Sequence, residues 1–259
     1  MLFILCFIVK SEEKMTPLKI STFSSLGRCS RIYSYKTKEI HYLLSDNQLR
    51  VFLLLEWCDK IMDIKSNQYM ENLEEYLSER IENLRLDKFK SKESEKIYDL
   101  YTSFLITVDK NTHKENIAIS VKNSSNLNIK TTIEKLEIER RYWGARGIKF
   151  YIITEKEINK VKVNNISWCR EALIEKSIKN KNTLALELYE FIIKNKDKVL
   201  DEVLVLFDDI KNIEDGTSLF LFRYLIAIKK IEINMKEKII LDRPISDIII
   251  SFRGDVYIE

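Results

Sequence analysis

Proline and glycine are nearly missing from this chain, with 2 and 5 among 259 residues. So few backbone punctuators leave little room for tight turns, and long helices are expected. Metal-binding side chains are as sparse. The four cysteines (Cys6, Cys29, Cys58, Cys169) are widely scattered without a C-x-x-C pair, and His41 and His113 are the only histidines. That spacing argues against a zinc site, and the thiols read as reduced residues of a cytoplasmic protein. Charge of one sign is missing too: 43 Lys and Arg against 40 Asp and Glu give +3. A nucleic-acid partner is neither required nor excluded, but a DNA binder of this charge must gather its basic residues on one face. No apolar run is long enough for a bilayer. The start, Met1 to Val9, is apolar but short, and it lacks a basic flank and a small-residue cleavage site. Residues 1–14 read as a segment ahead of a start at Met15, or as a remnant strand or helix.

What is present is an ordinary globular composition, 45% hydrophobic and 32% charged. Arg31 to Tyr35 and Glu39 to Leu43 are β-branched and aromatic runs around Lys36-Thr37-Lys38, which predicts a hairpin. Ser45 and Gln48 form an S-x-x-Q capping box ahead of a buried helix through Trp57. Residues 69–90 carry Leu73, Leu77, Ile81 and Leu84 at helical spacing, which predicts an amphipathic surface helix. Two buried strands are expected at Phe104 to Ile106 and Ile117 to Lys122. A helix with a Thr131-x-x-Glu134 capping box follows to Trp143, then a third buried strand from Ile148 to Thr154. This order describes an α/β unit with a mixed central sheet. From about Asn165 the texture turns helical. The segments 183–209 and 219–230 read as helices, and Ile231–Ile233 with Ile239–Leu241 as a small hairpin, the order of a winged helix. Two domains are expected, 15–165 and 166–259.

Several blocks carry a resemblance. They are Gly27-Arg28-Cys29-Ser30-Arg31-Ile32-Tyr33-Ser34-Tyr35-Lys36-Thr37, the stretch His41 to Asp46 on to Leu55-Glu56-Trp57, Glu134 through Glu139-Arg140-Arg141-Tyr142-Trp143, and Thr154 to Asn159 with Asn165 to Trp168. In order and spacing they are similar to the TnsA family, the endonuclease subunits of heteromeric bacterial transposases. The resemblance implies a restriction-endonuclease-like fold in the first domain and a helical, winged-helix-like second domain. It also implies DNA (the transposon ends), a recombinase subunit and an ATP-dependent regulator as partners, with no membrane. Members nick the 5′ ends of the transposon using Mg²⁺, which polarises the phosphate and activates water.

The family site comprises a Glu early in the helix after the hairpin, an Asp on the next strand, and a Q-x-K on the strand after that. The lysine is kept as Lys122, and strand alternation puts it on the side of Ser120 and Ala118. The Glu position is Gln48, the Asp position Ser103 and the Gln position Ser120. Mg²⁺ normally takes one or two carboxylates, and none stands at these positions. Asp99 is about 13 Å along a strand from Ser103. Glu56 is about 12 Å up the helix from Gln48. Asp46 points to another side of that helix. None is an obvious replacement, so an impaired, non-cutting subunit is expected, and a nuclease with a rearranged carboxylate site is the alternative. A DNA-binding regulator built on the second domain is a more distant third.

Arg28, Arg31 and Lys36 beside Tyr33 and Tyr35 suit a phosphate-contacting hairpin, with a solvated β-edge as the bland alternative. Arg140 and Arg141 suit DNA contact or complementation of their helix dipole. A lysine at a strand end such as Lys122 is ordinarily just solvated, and the flanking blocks are what mark it. The run Lys176, Lys179, Lys181, Lys194, Lys196 and Lys198 reads as a solvated face or a DNA track. Trp57, Trp143 and Trp168 read as core, and the two histidines as structural or exposed.

Overall fold

A computed structural model describes residues 28–77, 82–90, 99–174 and 178–253. The apolar start at 1–14, Ile81 and Lys176 lie outside the described residues. The expected hairpin forms as β1 (Ser30–Tyr33) antiparallel to β2 (Ile40–Leu43). The helix α1 (Asp46–Trp57) follows at once, because the Ser45 hydroxyl accepts the Gln48 N–H at 3.2 Å and fixes the first turn. Gln48 completes the box one residue further out than the usual pattern, its Oε1 accepting the Leu44 N–H at 2.5 Å.

The main sheet has four strands in the order β3 (Ile61–Tyr69), β4 (Tyr101–Asp109), β5 (Lys114–Val121), β6 (Lys149–Ile153). The first three pair antiparallel and β6 joins β5 in parallel, with α3 (Lys130–Ala145) as the crossover. The expected mixed α/β sheet flanked by helices is therefore present. Its two faces are sorted by strand alternation. Ile64, Phe104, Ile106, Ile119 and Val121 pack under Val51, Phe52 and Leu55 of α1. Ala118 instead packs with Ile138, Tyr142 and Trp143 of α3, and with Leu73 and Leu77 of α2 (Leu73–Leu77). The Trp143 indole N–H donates to the Thr102 hydroxyl at 2.7 Å, so the largest buried side chain leaves no polar atom unpaired.

Three expectations need correction. No single helix spans 69–90: β3 ends at Tyr69, α2 is five residues long, and a 3₁₀ turn covers Leu86–Phe89. Asn72 and Asn83, both at positive φ, stand where the chain turns out of the helical path. The Thr131/Glu134 box does not form either. The N-cap of α3 is Ile129, and Glu134 pairs instead with Lys88 at 3.0 Å. The terminal hairpin pairs β7 (Ile231–Ile233) with β8 (Ile249–Phe252), not with 239–241. The Leu241 carbonyl is taken by the Asp201 N–H at 3.0 Å, outside any strand.

The helical half comprises α4 (Lys160–Ile174), α5 (Lys181–Lys194), α6 (Leu200–Lys211), α7 (Thr217–Ala227) and the short α8 (Ile245–Ile248). A boundary at 165/166 falls within α4. Gly216, at φ 86, brings no side chain to the start of α7. The Asp208 carboxylate from α6 supplies the cap, accepting the N–H groups of Gly216 and Ser218 at 2.8 Å each. Among the described residues no helix is long and apolar enough to cross a membrane.

The candidate nuclease site

β4 and β5 run paired only as far as Phe104 and Ile119. Beyond that point β4 stays with β3 (Gln68 opposite Thr102), while β5 continues along β6 to Val121 opposite Ile153. Ser103, Ser120 and Lys122 lie at this parting of strands. The Val121 N–H would lose a cross-strand partner here. It donates instead to the Ser103 hydroxyl at 2.9 Å. Ser103, Ser120 and Gln48 are all buried, and each of the first and last already accepts a backbone N–H. Asn47, next to Gln48, donates from its amide to Asn123 at 2.7 Å, which ties the start of α1 to the residue after Lys122.

The sequence reading missed one member of this cluster. Glu139 of α3 is 0% exposed, its Oε1 3.4 Å from the Ser120 hydroxyl, while Oε2 has no hydrogen-bond partner. Burial holds its carboxyl above the ordinary range, and the charges of Lys122 and Lys135 oppose that rise. Burial likewise pushes the Lys135 ammonium down, with Lys122 adding to it and Glu139 opposing. A signal was available: Leu136, Glu139 and Trp143 share the buried stripe of α3 at helical spacing. The raised carboxyl fixes a pH dependence. A raised folded pKa stabilises below the unfolded value, and that stability is lost as pH rises through the folded one. The isosteric, non-titrating Glu139→Gln variant should therefore gain on the parent between pH 5 and pH 8. Urea midpoints at the two pH values measure this, and a constant gap would refute it.

The site does not fit Mg²⁺. The two positions expected to carry its carboxylates, Gln48 and Ser103, are neutral, their acceptor atoms are engaged by backbone N–H groups, and the nearby Glu139 carboxylate is buried beside two lysines. The acids nearest in sequence are committed elsewhere. Glu56 pairs with Arg170 at 2.7 Å, Asp99 acts on Tyr69 and Tyr101, and Asp46 is exposed on the first turn of α1. No three His, Cys, Asp or Glu side chains come together among the described residues.

The basic residues expected to touch DNA are placed as follows. Arg28 and Arg31 are exposed, and Arg31 lies 5.9 Å from the Tyr42 ring centroid. Lys36 is turned back, its ammonium donating to the Cys58 carbonyl at 3.0 Å. Arg140 makes a two-pronged contact with Glu137 at 2.7 Å. Arg141 reaches the same carboxylate and the Glu82 carbonyl. Together the two arginines hold the Glu137 carboxyl down to about 2. His41 is buried between the Thr37 and Ser66 hydroxyls, and His113 is exposed.

A mixed sheet whose middle strands part beside Lys122, with α1 on one face and α2 and α3 on the other, defines a nuclease-type α/β domain joined to a helical partner. Residues 59–155 match the family model described as TnsA-like endonuclease N terminal, and residues 157–235 match TnsA endonuclease C terminal. The chain belongs to the TnsA endonuclease family. It is 38% identical over 153 residues to the transposon Tn7 transposition protein TnsA of Escherichia coli, covering 58% of this chain and 54% of that protein. The chain thus spans about half the length of this relative. Ser103, Ser120 and Lys122 fall inside the first matched stretch, and Gln48 lies ahead of it.

Proposed function

We propose that this chain is a TnsA-type transposition subunit that binds DNA and its transposition partners without cutting. The observation that carries the reading is the state of Gln48 and Ser103. Both are buried, neutral and already hydrogen-bonded to backbone N–H groups, where the family carries metal-binding carboxylates. What is left at the site is Lys122, with Lys135 and Glu139 behind it, both of whose charged forms burial disfavours. A phosphate of the DNA backbone can meet such a site directly, whereas a carboxylate-lined site needs a dication between the two anions. DNA binding is therefore independent of divalent metal. The recombinase subunit and the ATP-dependent regulator are the partners this family membership suggests.

The test has two arms on the full chain. Fluorescence anisotropy with a duplex should give the same affinity in EDTA and in Mg²⁺, weakened in Lys122→Ala. A supercoiled-plasmid assay should show no nicking in Mg²⁺ or Mn²⁺. Nicking that disappears in Lys122→Ala would overturn the non-cutting reading in favour of a rearranged site. Binding that vanishes in EDTA would overturn the direct phosphate contact.

A further inference from the structure

The junction between the two halves holds a cavity of about 560 Å³, lined by Trp57 at the end of α1, Asp59 just after it, Lys162 of α4, Lys229 after α7, and Glu232 and Arg253 of the terminal strands and their end. Its volume lies within the roughly 300–1,000 Å³ typical of small-molecule sites. It shares no lining residue with the cluster around Lys122 and Glu139.

We infer that this cavity is a binding site for a phosphate group, held by Lys162 and Arg253 with Lys229 beside them. Four cationic side chains (Lys162, Lys229, Lys236, Arg253) line it against two acids (Asp59, Glu232), a surplus of two positive charges. Glu232 is partly spent, since it accepts the Ser251 hydroxyl at 2.8 Å and faces Arg253 at 3.6 Å. Lys229 is held in place: its backbone sits at φ 63, and its ammonium lies 3.1 Å from the Trp57 ring centroid and 3.3 Å from the Trp57 carbonyl. Lys162 and Arg253 each lie close enough to Lys229 to repel its ammonium. Burial brings the Lys229 ammonium down to about 8, Asp59 opposes this, and Lys162 and Arg253 push it further down. A doubly charged phosphate would relieve that repulsion, being equal in size and opposite in sign to the surplus charge. The phosphate of a mononucleotide and that of a DNA strand share this chemistry.

Pyridoxal phosphate is a probe for both features, because its aldehyde traps an unprotonated amine beside a phosphate site. The Lys229 nitrogen adds to the aldehyde carbon with loss of water, and borohydride then delivers hydride to the imine carbon to fix a secondary amine. At pH 7.5 an amine titrating near 8 is unprotonated about two hundredfold more often than an ordinary lysine, so Lys229 should be labelled at least about tenfold faster than the other lysines. Peptide mapping reads the site. Excess inorganic phosphate should suppress the label, and Lys162→Ala or Arg253→Ala should slow it. Protection by ATP but not by an oligonucleotide identifies a mononucleotide site, and the reverse identifies a strand phosphate. Even labelling across the lysines, or a Lys229 label indifferent to phosphate, ATP and oligonucleotide alike, would overturn the inference. Neither arm depends on whether the protein cuts DNA.

Discussion

Restoring Gln48→Glu and Ser103→Asp together should turn the protein into a Mg²⁺-dependent nicking enzyme, with activity on supercoiled plasmid rising by about 10³-fold or more. The expectation rests on what each position touches. Gln48 Oε1 accepts the Leu44 N–H at 2.5 Å, and the Ser103 hydroxyl accepts the Val121 N–H at 2.9 Å. Both environments offer donors, so a carboxylate can take the same bonds and keep a second oxygen for a cation. The Ser45 cap, the parting of β4 from β5, and Lys122 are unchanged by the substitutions. Without metal, two new buried negative charges should lower stability, and Mg²⁺ should return it. The double variant should therefore show a metal-dependent rise in Tm that the parent lacks. A folded double variant with neither nicking nor a metal-dependent Tm would mean that the scaffold has lost the geometry as well as the ligands. Adding Ser120→Gln should raise activity further, because the longer amide replaces a hydroxyl that now points to Glu139.

The parts of the site legible in the sequence are those fixed locally. The hairpin, the Ser45 cap and the side of β5 that carries Lys122 follow from period-2 alternation and from a capping pattern within four residues. β3 was hidden because among the described residues it is an edge strand paired with β4 alone, and Asp63, Lys65, Ser66, Asn67 and Gln68 give it no apolar alternation to read. The neighbouring Leu73 and Leu77 then suggested a helix much longer than the five residues formed. Glu139 was hidden by its company: beside Glu134, Glu137, Arg140 and Arg141 it looks like one more surface charge. What sets it apart is its helical spacing from Leu136 and Trp143, with which it shares the buried stripe of α3. The pairing of β7 with β8 was out of reach because Ile239–Leu241 and Ile249–Phe252 have the same apolar texture, and tertiary contacts of Leu241 decide between them.

The second large effect lies where the nuclease-like domain meets α4, at Arg170. Its guanidinium donates from Nε to Glu56 Oε2 at 2.7 Å and from Nη2 to the Tyr33 carbonyl, and it sits 4.8 Å from the Tyr35 ring centroid. The other oxygen of Glu56 accepts the Tyr35 N–H at 2.7 Å. The side chains of Arg170 and Glu56 are only 10% and 9% exposed. Truncating one partner of so buried a pair leaves the other charge without compensation, so Arg170→Ala should cost about 3–5 kcal/mol. In a chain of this size each kcal/mol lowers Tm by roughly 2–4 °C, an effect readily seen by calorimetry. Arg170→Lys should fall between parent and alanine, because one ammonium keeps the charge but cannot reach both Glu56 and the Tyr33 carbonyl as the planar fork does. Removing both charges with Glu56→Leu and Arg170→Met should cost less than the alanine variant alone, since no buried charge is then orphaned. If Arg170→Ala shifts stability by under about 1 kcal/mol, the pair behaves like an exposed one, and the contact between hairpin, α1 and α4 is looser than its geometry implies.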